Sequence, residues 1–135
     1  MEASAAVDVV ALAVTPYFKK KHGHHHPTGA CGTFAAAAAA GKLLRFDETT
    51  MLHALSVAAG HSAGLEEAPA SGRGNLKRIF GGMAASSGIR SAILAGEGLT
   101  GPETMLEGER GFCRTFGDTT NLAALTAGLG DEWEI

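Results

Sequence analysis

Charge, cysteine and aromatic residues are all sparse in this sequence of 135 residues, and each shortage excludes something. Charged residues make up 19% of the chain and the formal net charge is −3. No stripe of cations interleaved with aromatic side chains occurs, so no nucleic-acid partner is expected. Two cysteines, Cys31 and Cys113, are too few for a disulfide framework. The N-terminus has no basic region ahead of its apolar stretch, and so no secretion signal is read. A cytoplasmic protein with buried thiols is the expectation. The apolar run Val7 to Val14 is too short to span a bilayer and carries Asp8, which argues against a membrane role. No P-loop, dinucleotide fingerprint or nucleophile elbow is present.

What the chain does contain is small-residue helix sequence. The stretch His26 to Gly41, HPTGACGTFAAAAAAG, passes abruptly from a Pro-Thr-Gly turn into six alanines, the best helix formers. A helix with so little bulk brings its backbone close to its neighbours. A helix is predicted from after Gly29 to about Arg45. Asp47 is the predicted N-cap of the next, with Phe46 and Met51 at the spacing of a hydrophobic staple and an end near Gly64. Glu66 to Gly74 reads as a loop by composition. A further helix is predicted from Leu76 to about Glu97, with a middle, GGMAASSG, that reads as a tightly packed central helix stopped by Gly98. Ala5 to Leu12, a short helix opened by Pro102, a turn carrying Phe112 and Phe116, and Asn121 to Ala127 complete the pattern. Only Trp133-Glu134-Ile135 has the look of a strand start. The 19 glycines are scattered through apolar stretches, as close helix contacts and sharp helix ends require. The fold class is all-α, one helical domain over 1–135, long enough to bury roughly two-thirds of its unfolded surface.

Two places could carry chemistry. His26 stands against the rigid Pro27 turn at the mouth of the alanine helix, where an imidazole can move protons near neutral pH or, alternatively, order the turn. Lys77 and Arg78 follow a Gly-rich loop and fall in the predicted first turn of the fourth helix. The helix dipole disfavours cations there, so the pair suits an anion bound at that end, with Arg73 contributing a fork to a carboxylate. The alternative is a pair of solvated cations. His22, His24, His25 and His26 lie in a basic connection, so they offer no preformed helical i, i+4 pair, and they lack nearby Cys or acidic ligands; no metal is expected, with a metal-binding cluster as the alternative. His53 reads as a surface residue. His61, among small residues in AAGHSAG, reads as a satisfied core histidine, with a cavity-facing role as the alternative. Cys31 reads as packing, with a reactive thiol as the alternative.

Three segments in order, HHPTGACGTFAAAAAAGKLLRFDETTMLHALSVAAGHSAGL, LKRIFGGMAASSGIRSAILAGEGLTGP and MLEGERGFCRTFGD, resemble the MmgE/PrpD family of dehydratases, decarboxylases and epimerases. The resemblance covers about 26–135, with 1–25 matching loosely as a helix and basic connection. It implies a helical domain paired with an α/β lid domain, a homodimer, and a cofactor-free and metal-free site for small di- or tricarboxylates. Proton abstraction beside a carboxylate would be followed by loss of water or carbon dioxide, or by reprotonation. His26 matches the His-Pro motif residue and Lys77 the active-site lysine; Thr28, Arg73 and Arg78 join them as substrate-binding candidates. Departures are Phe80 and Ser86, where similar proteins often carry histidine, and the absence of the lid's histidine and tyrosine. The expectation is a truncated form ending at the lid boundary, with a partial carboxylate site and little activity alone. A non-catalytic helical binding or self-assembly module is the competing reading.

Overall fold

The computed structural model describes residues 25–117 and Ala123; the expected helices at Ala5 to Leu12 and Asn121 to Ala127, and the C-terminal Trp133, lie outside these or, for Ala123, are described at one position only. Helix α1, Pro27–Leu43, starts with proline at its first position, where a missing N–H costs nothing. It stops on a Schellman pair: Phe46 N–H donates to the Gly41 carbonyl at 3.0 Å and Arg45 N–H to Lys42 at 3.1 Å. Arg45 takes the left-handed position usual for glycine, at φ 59°.

Helix α2, Glu48–Ala59, begins as the sequence predicts. The Asp47 carboxylate accepts from Thr50 N–H at 2.8 Å, and hydrogen bonding from Thr50, through its side chain first and this backbone N–H second, holds its carboxyl below the usual carboxylate range. Phe46 and Met51 close over Gly41, where a methyl group would lie 2.9 and 2.8 Å from their side chains. The helix ends at Ala59 instead of near Gly64, because 60–64 turns back to α1: Ser62 Oγ donates to the Ala30 carbonyl at 2.9 Å and His26 N–H to Gly64 at 3.2 Å. The predicted loop contains a four-residue helix, α3, Glu67–Ala70.

The predicted fourth helix divides in two. A 3₁₀ turn, Leu76–Ile79, precedes helix α4, Phe80–Gly96. Gly98, at φ 93°, ends it in a second Schellman pair, with Leu99 N–H donating to Leu94 at 2.9 Å. Pro102 opens no helix. Turns occupy that region, tied to α2 by Ser56 Oγ donating to the Pro102 carbonyl at 2.9 Å and by His53 Nδ1, 3.2 Å from the Gly101 oxygen. His53 is therefore half-buried and structural, not a surface residue. Helix α5, Phe112–Phe116, carries the aromatic pair.

Helices α1 and α2 form an antiparallel hairpin, and α4 lies parallel to α1. The second approach is backbone to backbone: a methyl group on Gly88 would strike the Thr33 carbonyl oxygen and sit 2.7 Å from Ala37 N. One core cluster gathers Ala30, Cys31, Phe34, Ala37, Ala58, Phe112 and Cys113, with Phe34 and Phe112 edge to face at 4.6 Å. A smaller one joins Ala54 of α2 to Ala92 and Ala95 of α4. Helix α4 packs closely against α1 and α2, as its composition predicts, but its opposite face stays open. It buries its small residues, Ala84, Gly88, Ser91, Ala92 and Ala95, and leaves Met83, Ile89 and Ile93 about half exposed. The architecture is all-α: among the described residues the one β contact is an isolated bridge between His25 and Leu65. No helix among them is long and apolar enough to cross a membrane.

Candidate functional site

His26 is the N-cap of α1, and its extended backbone (φ −79°, ψ 118°) is the geometry that Pro27 demands of the residue before it. Its carbonyl accepts from Ala30 N–H at 3.1 Å. The imidazole makes no cap hydrogen bond. Instead it lies edge-on to Phe80, ring centres 5.0 Å apart, with Nδ1 buried and without a hydrogen-bond partner. Leaving a buried polar atom unpaired costs about 1–3 kcal/mol. Gly64, at φ 131°, lets the return loop run against this residue: a methyl group there would be 3.2 Å from the His26 oxygen.

Phe80 also fixes where the cations stand. It begins α4 and touches His26, so the 3₁₀ turn immediately before it brings Lys77 and Arg78 to the same end of the bundle. Both are exposed and both precede α4, whereas the sequence predicts them in its first turn. Neither Asn75 nor Ile79 caps its helix with a side chain, so amide groups there are left to other partners. Arg73 is exposed between Gly72 (φ 64°) and Gly74 (φ 73°), its N–H 3.4 Å from Ser71 Oγ. Thr28 is exposed in the first turn of α1.

Two hollows adjoin at this end, sharing Met83 and Ser87. The inner, of about 70 Å³, is lined by Gly29, Thr33, His61, Gly64 and Phe80 among others. The outer, of about 520 Å³, is lined by Arg78, Ile79, Gly82 and Ser86 besides the shared pair. The inner space is enough for several waters or the end of a small acid. Arg78 is thus brought to the outer hollow; His26, Lys77, Arg73 and Thr28 line neither of the two.

The sequence matches the MmgE/PrpD N-terminal domain over residues 3–124. The chain belongs to the MmgE/PrpD family. It is 40% identical to human cis-aconitate decarboxylase over 87 residues, a stretch that covers 64% of this chain and 18% of that enzyme. This MmgE/PrpD chain therefore spans about a fifth of the length of the curated relative it matches.

In the MmgE/PrpD helical domain described here, the two departures from the expected histidines have different settings. Phe80 is buried against His26, while Ser86 is exposed and lines the outer hollow. His61 is the residue the sequence undervalues. It is exposed on the turn after α2 and lines the inner hollow, not the satisfied core position predicted for it. The signal was present in its small neighbours, which leave space around the ring. Cys31 is not a reactive thiol. Burial first, and then Cys113 beside it, push its pKa up to about 12, and burial raises that of Cys113 as well.

Proposed function

We propose that this chain provides the helical half of a lyase or isomerase site for small di- or tricarboxylates, of dehydratase, decarboxylase or epimerase type. The observation that carries the reading is His26 at the mouth of α1, its buried Nδ1 unpartnered, at the same end of the bundle as the cationic turn of Lys77 and Arg78. Membership of the MmgE/PrpD family and the identity to cis-aconitate decarboxylase support it. Lys77, with Arg73 and Arg78, holds a substrate carboxylate and stabilises charge that develops on it. His26 binds substrate or carries the proton, and Thr28 contributes a hydroxyl at the same turn. The reading includes a cytoplasmic, cofactor-free homodimer whose opposing groups come from a lid domain beyond the helical region. Binding groups without that opposing acid and base supply only part of the rate enhancement, so these 135 residues alone turn over weakly.

Titration of the folded chain with citrate, cis-aconitate, malate and aspartate, followed by NMR with Lys77→Ala as control, tests this. Saturable shifts at His26 and Lys77 that vanish in the variant are expected. No response to any acid would refute it. A second reading, a helical self-assembly module, is favoured by the open apolar face of α4 and the turn before it, where Met83 and Ile93 of the helix and Ile79 of the turn are each 53% exposed. A concentration-dependent oligomer with no carboxylate affinity would select that reading.

A further inference from the structure

His61 is held from two helices in a way that leaves one ring nitrogen open. Its Nδ1 lies 3.1 Å from the Val57 carbonyl oxygen in α2 and 3.4 Å from Ser91 Oγ in α4. A carbonyl oxygen only accepts, so Nδ1 carries the proton. The Ser91 hydroxyl hydrogen is committed to the Ser87 carbonyl at 2.8 Å, so towards the imidazole Ser91 also accepts. Ser91 is fully buried, which fixes its direction. One N–H is therefore shared between two acceptors. The tautomer is set, and the lone pair of the uncharged ring lies on Nε2. The ring is exposed and lines the inner hollow with Phe80 and Ser87, next to the depression that Arg78 borders.

From this geometry we infer that His61 is a specificity-determining residue of the carboxylate site, with Nε2 accepting a hydrogen bond from a donor on the ligand's carbon chain. The inference rests on the small-carboxylate reading of that site. Carboxylate groups ionised at neutral pH have no hydrogen to give, so an acceptor in the hollow is useful only to a ligand with a hydroxyl or ammonium substituent beside its acids. A 2-hydroxy di- or tricarboxylate supplies that donor while a cation takes the carboxylate. Ser91 is the positioning residue, since it acts only through the imidazole.

Malate and succinate share a carbon skeleton and differ by one hydroxyl, which makes them the probes. Their dissociation constants are measured by NMR on the full 135-residue chain at pH 8, together with the imidazole ¹⁵N shifts of His61 before ligand is added. The ligand-free spectrum is expected to report the Nδ1–H tautomer. Malate is expected to bind about 3- to 10-fold more tightly, the range of one net hydrogen bond, and to shift His61 Nε2 where succinate does not. His61→Phe should bring the ratio to about one, and Ser91→Ala should lower it while mixing the tautomers. An Nε2–H tautomer overturns the inference without any variant. Equal affinities, with His26 and Lys77 responding and His61 silent, overturn it and leave the carboxylate reading standing. Failure of both acids to bind overturns the two together.

Discussion

Replacing Gly88 by alanine should cost this domain about 2 kcal/mol, although alanine is the better helix former. A methyl group there would strike the Thr33 carbonyl oxygen and lie 2.6 Å from Ala36 Cβ and 2.7 Å from Ala37 N. Two of these three atoms belong to the α1 backbone, so no side-chain rotation relieves the clash. The helices must move apart, loosening the neighbouring contact at which Gly32 faces Ala84, so close that a methyl group on Gly32 would lie 3.1 Å from Ala84 Cβ. Overpacking of this kind costs about 1–3 kcal/mol, at its upper end where backbone must shift. Against it stands the gain of up to about 1 kcal/mol from removing a mid-helix glycine. Gly81→Ala is the control, because it lies in the same helix and a methyl group there meets nothing within 4 Å; it should be neutral or slightly stabilising. Urea denaturation followed by circular dichroism separates the two. With a slope of about 2 kcal/mol per molar, the Gly88 variant should unfold about 1 M earlier than the parent. A Gly88→Ala midpoint at or above that of Gly81→Ala would refute the close α1–α4 approach.

Arg45→Gly should stabilise by up to about 1 kcal/mol, because the left-handed conformation costs an L side chain about 1–2 kcal/mol and glycine returns part of that as chain entropy; an unchanged or lower urea midpoint would count against the φ of 59°. The Cys31 thiol titrates at 9.0 when unperturbed and at about 12 in the fold. Folding thus favours the neutral thiol, so its contribution is complete below pH 9 and is lost as pH rises through that interval. Stability measured from pH 8 to pH 11 should fall with a slope that Cys31→Ala reduces. Thiol labelling at pH 8 should follow global unfolding; rapid labelling of the native state would contradict burial of both cysteines.

The caps were the most readable part of the sequence, because they are local. Asp47, Phe46 and Met51 act within one turn of one another, and Gly98 ends α4 as its position foretells. What failed depended on partners distant in the chain. The end of α2 at Ala59 is set by hydrogen bonds from 62 and 63 to α1, which no local propensity encodes. His53 reads as exposed until Gly101 is brought beside it from 48 residues away. The composition of α4 shows that it packs closely, but not on how many sides. His26 and Lys77 were visible through local oddity, a histidine before proline and cations where acids are preferred. For His61 the small neighbours gave only the cavity-facing alternative, because the meaning of its Nδ1 comes from Ser91 on another helix.

The unsatisfied nitrogen of His26 also has a bearing on how this scaffold would respond to engineering. An aliphatic side chain in its place would relieve the cost of that buried, unbonded atom, about 1–3 kcal/mol. That is a substantial fraction of the 5–15 kcal/mol by which ordinary domains stay folded. Selection for heat resistance alone would therefore tend to erase this histidine early, and screens that score only thermal tolerance would enrich for sturdier bundles with an inert mouth.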